Sequence, residues 1–211
     1  MEESLNISES PDLTGEERAL LLRIAGQSLA HFAQSRTTLP LEGFDLSPAL
    51  RAPRGAFVTL HREGELRGCI GYIQAVGMLA ETVRDNAVNA GFRDPRFDSV
   101  TLDEIPSLSI EVSALRAGET PGSPFIRVRD ISEVVIGRDG LYLEHTGGMT
   151  SGLLLPQVPL EYGWDLGTFL DALCRKAGAP QGAWKRPDFR LSRFSAEVFG
   201  ENDSHPSGCG A

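Results

Sequence analysis

Apolar and polar residues along this chain follow two periods, and the switches between them mark its elements. Leu20, Leu21, Ile24, Ala25, Ser28 and Phe32 recur at near-helical spacing, which predicts an amphipathic helix with one buried face. Thr14 followed by Glu17 is a capping-box pattern that opens it. Three prolines between residues 37 and 53 predict a connecting loop. Residues 56–62 and 65–72 are β-rich runs around a Glu63-Gly64 turn signal, and together they predict a hairpin. Leu79, Val83, Ala87 and Ala90 place a helix over residues 77–91. Pro95 then pushes Asp94 out of the α region and starts a loop. Leu108, Ile110, Val112 and Ala114 alternate with Ser109, Glu111 and Ser113, the signature of a strand buried on one face. Residues 134–136 and 141–145, around Arg138-Asp-Gly140, predict a second hairpin. Leu166, Phe169, Leu170 and Leu173 form the stripe of a helix over residues 164–176, which Gly178 ends. Residues 189–199 predict a final strand. Irregular alternation with hairpin signals predicts an α+β fold, mainly an antiparallel sheet flanked by helices, rather than a doubly wound parallel one.

Composition narrows the function classes. At 211 residues the chain can bury a core without disulfides or a structural metal. Its 29 acidic and 20 basic side chains leave a net charge of −9, which disfavours a phosphate-tracking nucleic-acid binder. No apolar run reaches the ~18 residues of a membrane span, and the acidic start lacks a signal peptide's basic and apolar regions. The three cysteines, Cys69, Cys174 and Cys209, are odd in number and spaced for neither a disulfide framework nor a CxxC site, so a reducing cytoplasm is expected. Residues 1–13 read as an acidic tail, 14–200 as the domain, and 201–211 as a polar tail.

The candidate chemistry centres on Cys69, set between Gly68 and Gly71. Glycines in a strand allow a ligand or backbone to approach closely. By the two-residue period Arg67 and Cys69 share a strand face, and a nearby cation favours thiolate. The opposing reading is a buried structural cysteine. Cys174 reads as packing. His31, His61, His145 and His205 form no recognisable Cys–His pairing, and no HxxxH, HExxH or CxxC occurs, so neither metal nor cofactor is expected. Asp94 and Arg96 sit on the proline-stiffened loop. There Arg96 is placed to clamp a carboxylate or phosphate, or to hold the loop through Asp94. Glu161 and Trp164 are further candidates for lining a binding cleft, with Trp164 equally suited to anchoring the helix that follows.

Several blocks occur in order: Phe57-Val-Thr-Leu60, Leu66-Arg-Gly-Cys-Ile-Gly71, Asp94-Pro-Arg-Phe97, Leu155-Pro-Gln-Val158, Glu161-Tyr-Gly-Trp-Asp165 and Lys176-Ala-Gly178. In these the chain resembles the AMMECR-one domain family over residues 14–200. The resemblance implies an α+β fold with a smaller second lobe, and no assigned reaction. It also implies association with a Memo-like protein and a radical S-adenosylmethionine enzyme. Two readings remain open at this stage. One is a non-catalytic component that binds a small anionic substrate around Arg67, Gly68, Cys69, Gly71, Asp94 and Arg96. The other is an enzyme using Cys69 as nucleophile or sulfur carrier.

Overall fold

Helix α1 (Gly15–Ser35) starts where its capping box predicts. The Glu17 N–H donates to the Thr14 hydroxyl at 3.2 Å, and the Thr14 N–H donates to the Glu17 carboxylate at 2.8 Å. The computed structural model describes residues 13–75, 77–120 and 122–201. Expectations for 1–12 and 202–211, including His205 and Cys209, lie outside the described residues. Residues 13–115 with 197–201 form one compact unit, and residues 116–196 form another.

In the first unit, a single short helix, α2 (Pro48–Arg51), interrupts the proline-rich loop. The predicted hairpin forms as β1 (Ala56–Arg62) and β2 (Glu65–Tyr72), antiparallel. Glu63 (φ 54°) and Gly64 (φ 85°) both occupy the left-handed region, which suits the twist of a two-residue hairpin turn. Helix α3 (Leu79–Phe92) follows, and then β3 (Leu108–Leu115) pairs antiparallel with the other side of β1. The strand order is β2-β1-β3, with the end of β7 (Phe189–Gly200) beside β3, so among the described residues β2 is an edge strand. Helices α1 and α3 pack on this sheet around Leu21, Ile24, Leu29, Val58, Leu60, Leu79, Val83 and Val112, which form one apolar cluster.

The second unit contains β4 (Ile126–Arg127), β5 (Asp139–His145), β6 (Ser151–Leu154), α4 (Val158–Glu161), α5 (Leu166–Lys176) and the first part of β7. Its strand order is β7-β5-β6, with β4 also paired to β7. Asp165 caps α5 by accepting from the Thr168 N–H at 2.7 Å, which is why this helix begins at Leu166, the first residue of the apolar stripe, rather than at residue 164. Phe169, Leu170, Leu173 and Cys174 are buried with Leu141, Leu143 and Leu191, and Cys174 is thus a packing residue.

The second expected hairpin is placed differently. Residues 134–138 are not a strand, and β5 instead pairs with β6. The cause is Asp139, whose carboxylate is fully buried. It accepts from the Val135 N–H at 2.8 Å and from the Arg138 guanidinium at 2.6 Å, which curls the chain before β5 into a turn. The overall class is α+β with an antiparallel sheet, as the patterning predicts.

Phe169 and Leu173 are both fully buried. Leu173→Ala is expected to cost ~2–5 kcal/mol through lost transfer energy and a residual cavity, read as a lower melting temperature. An unchanged melt would mean that the stripe does not carry this core.

Candidate functional site

The site is built from an irregularity in the hairpin. Cα partners run Arg62↔Glu65, His61↔Leu66, then Leu60↔Gly68 and Thr59↔Cys69. Arg67 is therefore the extra residue of a β-bulge. Without it Cys69 would oppose Val58, a fully buried core position. With it Cys69 opposes Thr59 and turns to the face away from α3, while Gly68 opposes Leu60 and faces the core. A Cβ at position 68 would collide with the Ala90 carbonyl of α3, so glycine is needed there for close packing of helix on strand. A Cβ at Gly71 would meet the Phe57 ring. Both glycines are filled against by their own chain and make no room for a ligand.

The bulge also corrects the expected Arg67–Cys69 pairing. Arg67 donates from Nε to Glu104 Oε1 at 2.6 Å and from Nη2 to Oε2 at 3.1 Å, and its Nη1 donates to the Asp98 carbonyl at 2.9 Å. Arg62 joins the same carboxylate at 3.3 Å. The bidentate bond from Arg67 holds Glu104 below the usual carboxylate range. A guanidinium engaged in this way holds the fold together and is not open to an anion.

Asp94 and Arg96 do meet Cys69. As the outermost strand's residue, Cys69 has an N–H and a C=O that β1 does not use. The N–H donates to Asp94 Oδ2 at 2.9 Å, and the C=O accepts from Arg96 Nη2 at 3.2 Å. The two side chains are themselves tied, with Arg96 Nη2 at 2.7 Å from Asp94 Oδ2 and both Arg96 N and Nε donating to Oδ1. The Asp94 side chain is almost fully buried, whereas that of Arg96 is 53% exposed. The Arg96 bonds, reinforced by the Cys69 N–H, hold the Asp94 carboxyl far below its usual range despite burial. Arg96 Nη1 makes no hydrogen bond among the described residues, and the guanidinium lies over the Phe97 ring at 5.4 Å.

The thiol shift runs opposite to the sequence expectation. Burial pushes the Cys69 thiol up, outweighing the Thr59 hydroxyl, which donates to Sγ at 3.4 Å, and the Arg96 charge, both of which pull it down. Asp94 and Glu111 add to the upward push. Thr59, Glu104 and Glu111 were not singled out in the sequence; only the register of the bulged hairpin reveals Thr59.

The remaining candidates, Glu161 and Trp164, belong to the second unit. Glu161 is exposed at the end of α4. Trp164 stacks on Tyr162 at 5.0 Å and packs against the core of the second unit, the anchoring alternative. His31 bonds Thr37 at 3.0 Å, and His145 lies 3.7 Å from Asp188. Among the described residues no group of three or more His, Cys, Asp or Glu side chains is arranged to hold a metal, and no helix is long and apolar enough to cross a membrane.

Because the pKa of Asp94 is lower in the folded state than in the unfolded one, its stabilisation is complete above the unfolded value of ~3.9 and is lost as pH falls toward the folded value. Asp94→Asn is expected to cost ~1–3 kcal/mol at neutral pH and to flatten the acid limb of the stability curve below about pH 4. Urea unfolding at stepped pH measures both, and an acid limb identical to that of the parent would refute the assignment.

The AMMECR1 family profile matches residues 22–199. Protein MJ0810 of Methanocaldococcus jannaschii is 38% identical over 195 residues, covering 90% of this chain and 92% of its own. A protein of Thermococcus gammatolerans is 42% identical over 188 residues, covering 86% and 88%. The crystal structure of the uncharacterised protein PH0010 from Pyrococcus horikoshii is similar with a TM-score of 0.80 at 35% identity, covering 90% of this chain and 94% of that one.

Proposed function

The chain belongs to the AMMECR1 family, and from that premise we propose that it is a binding component that recognises a small anionic group, a carboxylate or phosphate, beside Cys69 at the exposed edge of Arg96. The carrying observation is the Asp94–Arg96 pair. A buried carboxylate fixes a half-exposed guanidinium in place and leaves its Nη1 uncommitted among the described residues. A planar donor held rigid in this way loses little freedom when an anion docks. Because Asp94 neutralises the charge of Arg96, recognition rests on directed hydrogen bonds rather than net attraction, and it suits a group that presents one or two of its oxygens to the guanidinium. In this reading the chain holds such a substrate for a Memo-like or radical S-adenosylmethionine partner in the cytoplasm.

Binding is favoured over nucleophilic chemistry because burial pushes the Cys69 thiol up, away from the thiolate, which is the reactive form. The second reading, Cys69 as nucleophile or sulfur carrier, draws on the Thr59 and Arg96 contacts that lower the thiol pKa. Two measurements separate the readings. Titration with acetate and inorganic phosphate, followed by NMR, should show binding that Arg96→Gln weakens by about tenfold, the equivalent of ~1.4 kcal/mol; equal binding by both proteins would overturn the proposal. Alkylation of Cys69 by iodoacetamide, mapped by mass spectrometry, should be slow at pH 7 and accelerate only above the ordinary thiol range near ~8.5. Arg96→Gln should move that profile to higher pH, since a lowering influence is removed. Fast neutral alkylation would favour the nucleophile instead.

A further inference from the structure

In the second unit, the apolar side of α5 is buried through Phe169, Leu170, Leu173 and Cys174. That packing leaves Thr168, Asp171 and Arg175 together on the opposite side of the helix, at positions i, i+3 and i+7. The chain beyond the helix folds back along this side. Its Ala179 N–H donates to the Cys174 carbonyl at 2.9 Å, and its Ala183 N–H donates to the Pro180 carbonyl at 3.0 Å. Ala183 is fully buried in the core of the unit and pins the loop there. A surface cavity of about 390 Å³ results, lined among the described residues by Thr168, Asp171, Arg175 and Gln181. This volume falls within the ~300–1,000 Å³ of small-molecule sites.

The two charges on this cavity are not spent on each other. A carboxylate four positions before an arginine is a favoured ion pair on a helix, yet Asp171 and Arg175 form none. Instead Gln181 Nε2 donates to Asp171 Oδ2 at 2.8 Å, which holds the carboxylate toward the loop and leaves Oδ1 as an open acceptor. Arg175 makes no hydrogen bond or ion pair among the described residues. We propose that this cavity binds a free α-amino acid, with the ligand carboxylate on Arg175 and its ammonium on Asp171 Oδ1. A guanidinium presents a planar fork that matches a carboxylate, and a carboxylate accepts strong charge-assisted bonds from an ammonium. In an α-amino acid these two groups are joined through a single carbon. Helix positions i and i+4 set their Cβ atoms ~5–6 Å apart, so the two side chains reach adjoining groups of one ligand. A simple anion would meet the like charge of Asp171, and a simple cation that of Arg175; a zwitterion is attracted by both. The Gln181 bond keeps the acid from collapsing onto the base in the empty cavity, which lowers the cost of binding.

The site belongs to a different unit from the Asp94–Arg96 pair and does not rest on anion binding there. The full chain is titrated with three probes and followed by residue-resolved NMR, so that signals from residues 168–181 are read apart from those around Arg96. L-alanine carries both charges, N-acetyl-L-alanine only the carboxylate, and L-alaninamide only the ammonium. L-alanine should give saturable shifts within residues 168–181, and each derivative should bind at least about tenfold more weakly, the change expected from ~1.4 kcal/mol. Arg175→Gln and Asp171→Asn, with folding checked by circular dichroism, should each weaken L-alanine by a similar factor. Asp171→Asn should leave N-acetyl-L-alanine no weaker than in the parent, since that probe makes no use of the carboxylate. An absence of saturable shifts with L-alanine, or L-alanine affinity unchanged in a folded variant, would overturn the proposal. So would N-acetyl-L-alanine binding as tightly as L-alanine, which would make the cavity a simple anion site. If one variant fails to fold, the other and the comparison of probes on the parent carry the test.

Discussion

One extra residue in β2 decides which way Cys69 faces. The bulge at Arg67 shifts the hairpin register so that Cys69 lies opposite Thr59 instead of Val58, and much of the described site follows from that shift. Glycine at 68 takes the core-facing position under α3, where a side chain would strike the Ala90 carbonyl. Arg67, pushed out of the ladder, takes Glu104 and the Asp98 carbonyl as partners. The loop from 93 to 98 is then held at both ends, by Arg67 at Asp98 and by Cys69 at Asp94 and Arg96. Remove the bulge and the thiol would enter the apolar core, with no face left for the loop to serve.

The energetics at this edge are those of satisfied polar groups rather than of exposed charge. Asp94 carries four hydrogen bonds while nearly fully buried, and a buried carboxylate is tolerable only when paired and bonded in this way. Its partner keeps half of its surface in water. The asymmetry lets one pair be rigid on the inside and available on the outside. Exposed ion pairs elsewhere, such as Arg190–Glu144 at 3.1 Å, have no buried anchor and contribute little to stability.

Much of the fold was legible because local chemistry and tertiary packing agree. The capping box at Thr14, the alternation from Leu108 to Ala114 and the stripe from Leu166 to Leu173 each carry their meaning in neighbouring residues. What was not legible depended on partners far along the chain. The two-residue period linked Arg67 to Cys69, but a bulge is invisible to periodicity, and the true partner of Arg67 is 37 residues away. Residues 134–136 are β-branched and read as a strand, yet the buried carboxylate of Asp139 takes the Val135 N–H and curls them. The direction of the Cys69 shift depended on burial, which the flanking glycines obscured, since they mark close packing rather than open space. Asp94 and Arg96 were legible as a pair; their attachment to both backbone groups of Cys69 was not.

The carboxylate of Glu197 adds a temporal dimension. It accepts from the Leu13 N–H at 2.8 Å and from Arg18 and Arg54, each at 3.2 Å, so one side chain near the end of the chain ties down its beginning. Arg54, almost fully buried, has no other carboxylate among the described ion pairs. During synthesis residues 13–115 leave the ribosome before Glu197, so over that interval Arg54 has within reach the Leu115 carbonyl, to which its Nε donates at 2.8 Å in the folded chain, but not this carboxylate. Residues 116–196, by contrast, emerge as one uninterrupted stretch. β7 thus supplies the carboxylate that Arg18 and Arg54 share, and a chain truncated just before Glu197 would leave Arg54 with the Leu115 carbonyl but without that counter-charge.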